Sequence, residues 1–162
     1  MQPRLDALKA SPGAYQAMLA LETYIRKSSH LEPSLLELVR MRASQINGCA
    51  YCLDMHSKDA RANGETEQRL YALNAWREAP FFTDRERAAL AWTESVTQIS
   101  QDHVPDSLYE EVRQRFSEAE LVNLTLAIAA INSWNRLAIS FRAVPGDYQA
   151  PGRGATAEGG KH

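Results

Sequence analysis

Apolar residues recur along this chain at three- and four-residue intervals, and runs of alternating apolar and polar positions are nearly absent. That is the pattern of helices packed on helices. Tyr15, Met18, Leu19, Leu21 and Ile25 mark a first helix over residues 13–28. Pro33 suits a first helical turn, where its missing N–H costs nothing. Leu35, Leu36, Leu38, Val39, Met41 and Ile46 carry a second helix to about Gln45. Asn47-Gly48 is turn chemistry that ends it. A third helix opens at Cys49 and stops at Asn63-Gly64, and a short one follows over 66–76 with Leu70, Leu73 and Trp76.

Two capping boxes punctuate the second half, Thr83 with Glu86 and Ser117 with Glu120. In each, the hydroxyl accepts from the third amide of the helix and the glutamate reaches back to the cap. They open helices over about 84–99 and from 118 to about Arg142, with Pro105 opening a shorter one between them. The last helix is apolar at Leu121, Leu124, Ile128, Ile131, Trp134, Leu137 and Phe141, so burial on several sides is predicted. Val122, Ala127, Ala129 and Ala130 leave little polar surface mid-helix, which points to a subunit interface. The tail over 145–162 holds five of the eight glycines and no apolar face, so it is predicted to be flexible. The expectation is all-α: one domain of about six or seven helices over 1–144, then the tail. Trp76, Phe81 and Phe82 are expected to close the core where Pro80 breaks the chain.

Composition narrows the function. The chain's 162 residues fit one domain of the usual roughly 100–200. Eighteen basic against twenty acidic side chains give a net charge of −2, without the positive excess of a nucleic-acid binder. No run approaches the ~18 consecutive apolar residues of a membrane span. The N-terminal MQPRLDALKASPGAY, interrupted by Asp6, Lys9 and Pro12, does not read as a secretory signal. A cytoplasmic protein that engages neither nucleic acid nor membrane is expected.

The two cysteines, Cys49 and Cys52, stand as C-A-Y-C with no other thiol in the chain. In a reducing compartment such a pair is redox-active or metal-binding. One turn apart on a helix, they are close enough for a reversible disulfide. His56 lies four residues beyond Cys52, on the same helical face, and supplies a base that titrates near neutrality. Cys49 falls in the first turn, where amides and the helix dipole favour a thiolate. A terminal dipole contributes only about 0.3–1 kcal/mol in exposed settings, whereas a general base can add roughly 10²–10⁴ in rate. Cys52 is therefore the expected attacking thiol. Glu37, among Leu35, Leu36, Leu38 and Val39, is a carboxylate facing the interior that wants a partner, and an imidazole N–H would serve. Thiol, base and orienting carboxylate suit attack on a peroxide O–O bond. Cys52 would become a sulfenic acid and Cys49 would condense with it to a disulfide.

These residues resemble the AhpD-like alkylhydroperoxidase group of the carboxymuconolactone decarboxylase family. The likeness rests on Glu37, on Cys49 twelve residues later, on C-A-Y-C and on His56, within ELVRMRASQINGCAYCLDMHSKDARANGE. The segments ERAALAWTESVT and INSWNRLAISFR extend it to about residues 15–143. The resemblance implies an all-helical fold, homo-trimers or homo-hexamers, and peroxidase chemistry. In it Glu37 acts through His56 on Cys52, Cys49 resolves, and a dithiol carrier of lipoyl or thioredoxin-like type restores the thiols. The better-known peroxidases of the group carry histidine immediately before the second cysteine; here Tyr51 stands there and the relay is shorter. The decarboxylase branch generally lacks the cysteine pair, which argues against lactone decarboxylation.

Other readings stand beside this one. The same pair suits a redox-sensing stress protein with slow turnover, or disulfide exchange with other proteins. Zinc held by Cys49, Cys52 and His56, completed by Glu37 or His30, would make a structural module; no resident cofactor or metal is otherwise expected. Glu37 could instead pair with Arg40 or Arg42. His30 and His103 read as solvated. Trp134 reads first as core, and Asn132 as a residue that could face the site.

Overall fold

The structure is a computed structural model that describes residues 2–151. Among the described residues the regular structure is entirely helical. The elements are α1 (Ala7–Ala10), α2 (Pro12–Ser28), α3 (Pro33–Asn47), α4 (Ala50–Ala62), α5 (Glu67–Ala72), α6 (Asp84–Thr97), α7 (Ile99–Asp102), α8 (Asp106–Arg113) and α9 (Glu118–Phe141), with a 3-10 turn at Leu73–Ala75.

Helix α3 is the centre of the bundle, covered by α4, α6 and α9. One side sends Leu35, Leu36 and Val39 against Ala88 and Ala89 of α6 and Leu124 and Ile128 of α9. The other sends Leu38 and Met41 into a second cluster with Leu70, Leu73, Trp76, Phe82 and Leu90. Trp76 and Phe82 are buried as expected, and Phe81 packs against the same cluster while only partly buried. Each fully buried leucine or isoleucine contributes about 1.5–3 kcal/mol by leaving water, so the central helix is held from several directions at once. Helix α9 meets α2, α3, α4, α6 and α8, which is why so much of its circumference is apolar. Of its small mid-helix residues, Ala127 and Ala130 are buried within the chain, while Val122 and Ala129 are exposed.

Both capping boxes form, with Thr83 and Ser117 accepting from the amides of Glu86 and Glu120 and each glutamate reciprocating. The expected helix over 66–76 divides into α5 and the 3-10 turn. Helices α1 and α7 were not expected: four residues each hold too few positions for a periodic signal. The greater part of the expected tail, residues 152–162, lies outside the described residues. The part before it is tied to α4. Asp54 Oδ2 accepts from the Gly146 amide at 3.0 Å, and Lys58 Nζ donates to the carbonyls of Gly146 and Tyr148, both at 3.0 Å.

The turn from α3 into α4 fixes the cysteines. Gly48 adopts φ 72° and ψ 32°, the left-handed region. Its N–H donates to the Gln45 carbonyl at 3.3 Å, and the next N–H, that of Cys49, donates to the Ser44 carbonyl at 3.0 Å. This is the double hydrogen bond of a Schellman motif, and it needs a residue without a Cβ penalty at Gly48. No atom lies within 4 Å of a Cβ built there, so the cost of a side chain is conformational rather than steric. Gly48→Ala should therefore destabilise the fold by about 1 kcal/mol. Urea unfolding followed by circular dichroism will read this as a lower midpoint with an unchanged slope.

Candidate functional site

Cys49 is both the residue that closes α3 and the N-cap of α4. The sequence places it in the first turn of α4; it stands one position earlier, with its sulfur at the mouth of the helix. There it accepts from the Cys52 amide, Sγ to N 3.3 Å. The two cysteines form a disulfide with a Cα–Cα distance of 5.4 Å, and they are 1% and 2% exposed. Ala43, Ile131, Tyr51, Trp134 and Ala138 pack around them. Only one of the two lines a pocket of about 590 Å³: Cys52 does, and Cys49, bonded to it, does not.

One turn beyond Cys52, His56 lines the same pocket. Its Nδ1 lies 2.8 Å from Glu37 Oε2, and Arg40 Nη1 donates to Glu37 Oε1 at 2.7 Å. Arg40 Nη2 donates to Glu22 Oε2 at 2.8 Å, and Trp134 Nε1 to Glu22 Oε1 at 3.1 Å. A chain of polar contacts thus runs from α4 through α3 to α2 and α9, with Glu37, Arg40 and His56 all buried. Burial alone would raise the Glu37 carboxyl, but the hydrogen bond and charge of His56 and the charge of Arg40 outweigh it and hold the group below its ordinary value.

The pocket has apolar walls. Tyr15 and Leu19 of α2 and Ile131, Trp134 and Leu137 of α9 line it, together with Leu5 and Leu8 near the N-terminus. Tyr15 and Trp134 meet edge to face, with ring centroids 5.2 Å apart. Much of the apolar face of α2 therefore lines the pocket rather than a core, and Ile25 is the one residue of α2 that is fully buried. Tyr148 and Asp59 lie at another part of the wall, joined by a hydrogen bond from the Tyr148 hydroxyl to Asp59 Oδ1 at 2.7 Å. Burial raises the Asp59 carboxyl, and it raises the Tyr148 phenol with help from Asp59. Glu37, His56 and Asp59 each bring an oxygen or ring nitrogen within 4.8 Å of the others. Since the Glu37 oxygens are taken by His56 and Arg40, and Asp59 takes the Tyr148 hydroxyl, this cluster reads as a hydrogen-bonded network.

All four residues singled out in the sequence, Glu37, Cys49, Cys52 and His56, come together here. Glu37 meets Arg40 and His56 at once, so its ion pair and its contact with the histidine coexist; Arg42 pairs with Glu94 instead. Trp134 is half-buried and does both: it packs against the buried cluster around the cysteines and lines the pocket. Asn132 does not face the pocket. It accepts from Asn47 Nδ2 at 2.9 Å and donates to Thr97 Oγ1, bracing the end of α3. Arg40 was expected only as an alternative partner for Glu37, and Glu22, Asp59 and Tyr148 were missed. Arg40 and Asp59 follow Glu37 and His56 by three residues, a spacing that puts each beside its neighbour. No local signal marks Glu22 or Tyr148.

The depressed Glu37 makes a pH prediction. A carboxyl more acidic in the folded state than its ordinary 4.5 contributes stability that is complete above that value. The contribution is lost as pH falls through the lower, folded value. Urea unfolding at pH 6 and pH 3 should show wild type losing more stability over the interval than Glu37→Gln, which cannot titrate. Equal losses would mean that Glu37 is no more acidic folded than unfolded.

The family model of the carboxymuconolactone decarboxylase family matches residues 12–95. The uncharacterized protein YdfG of Bacillus subtilis (strain 168) is 44% identical over 140 residues, 86% of this chain and 95% of that one. Among solved structures, ATU0492 from Agrobacterium tumefaciens, a protein of unknown function named for a suggested role in antioxidant defence as an AhpD, is 45% identical. It superposes with a TM-score of 0.87 over 91% of this chain and 100% of that one. The debrominase Bmp8 shares the fold, with a TM-score of 0.77 at 22% identity over 86% of this chain and 75% of its own. The family match spans more than half of the chain, and the close relatives cover nearly all of it: the chain belongs to the carboxymuconolactone decarboxylase family and is AhpD-like.

Proposed function

We propose that this chain is a thiol-dependent peroxidase that reduces hydroperoxides through Cys52 and Cys49. The observation that carries the reading is the placement of Cys52 on the pocket wall, with Cys49 bonded behind it and the hydrogen-bonded His56–Glu37 pair one turn along. In the dithiol state His56, oriented by Glu37, takes the Cys52 proton. The thiolate attacks the terminal oxygen of the hydroperoxide, the O–O bond breaks, and the leaving alkoxide recovers a proton from His56 as an alcohol. Cys52 is then a sulfenic acid. The Cys49 thiol attacks its sulfur, water leaves, and the disulfide forms. A dithiol carrier, of lipoyl or thioredoxin-like type, is oxidised as it restores both thiols.

The apolar walls and a volume of about 590 Å³ suit an organic hydroperoxide with a bulky apolar group better than hydrogen peroxide alone. Assembly as a homo-trimer or homo-hexamer belongs to this reading only through the family to which the chain belongs. Among the described residues no helix is long and apolar enough to cross a membrane.

Reduced protein is to be treated with one equivalent of cumene hydroperoxide and its thiols read by mass spectrometry, for wild type, Cys49→Ser and Cys52→Ser. Wild type should form the Cys49–Cys52 disulfide, Cys49→Ser should trap a sulfenic acid on Cys52, and Cys52→Ser should react at least tenfold more slowly. Sulfenic acid on Cys49 in Cys52→Ser, with none on Cys52 in the other variant, would reverse the two roles. Thiols that stay reduced in wild type would end the peroxidase reading. Oxidation without turnover in excess dithiol would favour the redox-sensing protein.

A further inference from the structure

His56 has two carboxylates for neighbours, and they differ in what else they hold. Glu37 is bonded to it, but Arg40 binds Glu37 on the other side and bridges onward to Glu22. The Glu37 charge is therefore already shared with a guanidinium. It can orient the ring, yet it is partly spent when the ring gains a proton. Asp59, one turn beyond His56 on α4, has an oxygen within 4.8 Å of both a ring nitrogen of His56 and an oxygen of Glu37. Among the described residues, no salt bridge neutralises it.

What holds Asp59 in place comes from the far end of the chain. The Tyr148 hydroxyl donates to its Oδ1 at 2.7 Å. Lys58 and Asp54 pin the backbone at that tyrosine and two residues before it, through the carbonyls of Gly146 and Tyr148 and the Gly146 amide. Three residues of α4 thus exist in contact with one short C-terminal segment, and both Asp59 and Tyr148 line the pocket that Cys52 faces. The charged and titratable groups around Asp59 are Glu37 and Arg40 from α3, His56 from α4 and Tyr148 from the C-terminal segment. The Lys58 ammonium is occupied with Asp54 and the two carbonyls.

We propose that Asp59, anchored by Tyr148, is a positioning residue that supplies the balancing charge for the imidazolium formed when His56 takes the Cys52 proton. The assignment rests on the peroxidase reading and deepens it: Glu37 sets the orientation of the ring, and Asp59 favours its charged state. An anion within about 4–6 Å favours a neighbouring cation. Burial raises the Asp59 carboxyl, and Tyr148 works against that by donating to the ionised form.

The test follows the rate at which cumene hydroperoxide oxidises Cys52 in the reduced full-length chain, between pH 4.5 and 9. Removing the anion destabilises the imidazolium, so the acid limb of the Asp59→Asn profile should move to lower pH by about half a unit or more. Asparagine keeps the size of the side chain and an acceptor for the Tyr148 hydroxyl. Asp59→Glu should bring the limb back toward wild type, which a merely structural role would not do. Tyr148→Phe, which keeps the carboxylate but frees it to turn away, should give a smaller shift in the same direction. An acid limb of folded Asp59→Asn that superposes on wild type overturns the proposal. If Asp59→Asn does not fold, an unmoved limb in Tyr148→Phe overturns it. A wild type that is not oxidised at any pH ends the peroxidase reading and this assignment with it, whereas oxidation with an unmoved limb removes Asp59 alone.

Discussion

The structure turns on Cys49, which belongs to two helices. Its amide completes the hydrogen bonding that ends α3, and its sulfur completes the hydrogen bonding that begins α4. A residue used in this way has almost no freedom of its own: the left-handed Gly48 sets its direction on one side and the Cys52 amide sets it on the other. Because α3 is the helix around which the bundle packs, this corner ties the cysteine pair to the centre of the fold. Asn135, fully buried on α9, reinforces the same corner by accepting from Asn47 and donating to Ser44.

Around this corner the protein buries charge, which is costly unless each group is answered. Here each is. Arg40 answers two carboxylates, one of those carboxylates answers His56, and the other answers Trp134. Among the described residues no buried side-chain nitrogen or oxygen lacks a partner. The cost of placing ionisable groups beneath an apolar pocket is thus met by partners on α2, α3, α4 and α9. That is the condition for a histidine to stay oriented while its own charge changes.

The fold was largely legible because its signals are local. Capping boxes at Thr83 and Ser117, Pro33 at a helix start and Gly48 at a helix end each act within a few residues, and they placed the long helices to within two or three positions. The four central site residues were legible for a similar reason. Cys52 and His56 sit on one helix that Cys49 caps, and Glu37 stands out as a carboxylate in an apolar run. What was not legible depends on contacts between distant segments. Glu22 is called into the site by Arg40 from another helix, and Tyr148 is separated from Asp59 by 89 positions. Trp134 carries the periodicity of a core residue, and no pattern along the chain distinguishes a core from the wall of a pocket.

The double use of Cys49 bears on how such a unit can be moved between proteins. A C-x-x-C graft onto the start of some other helix would carry the two sulfurs but not what orients the first of them. The transferable piece runs from Ser44 to Cys52: one carbonyl to close the old helix, one glycine to turn the chain, and one cysteine that is an end and a beginning together. Lengthening that corner by a single residue would leave the sulfur chemistry intact on paper while uncoupling the second helix from the first, so the minimal portable motif is a corner of two helices rather than a tetrapeptide.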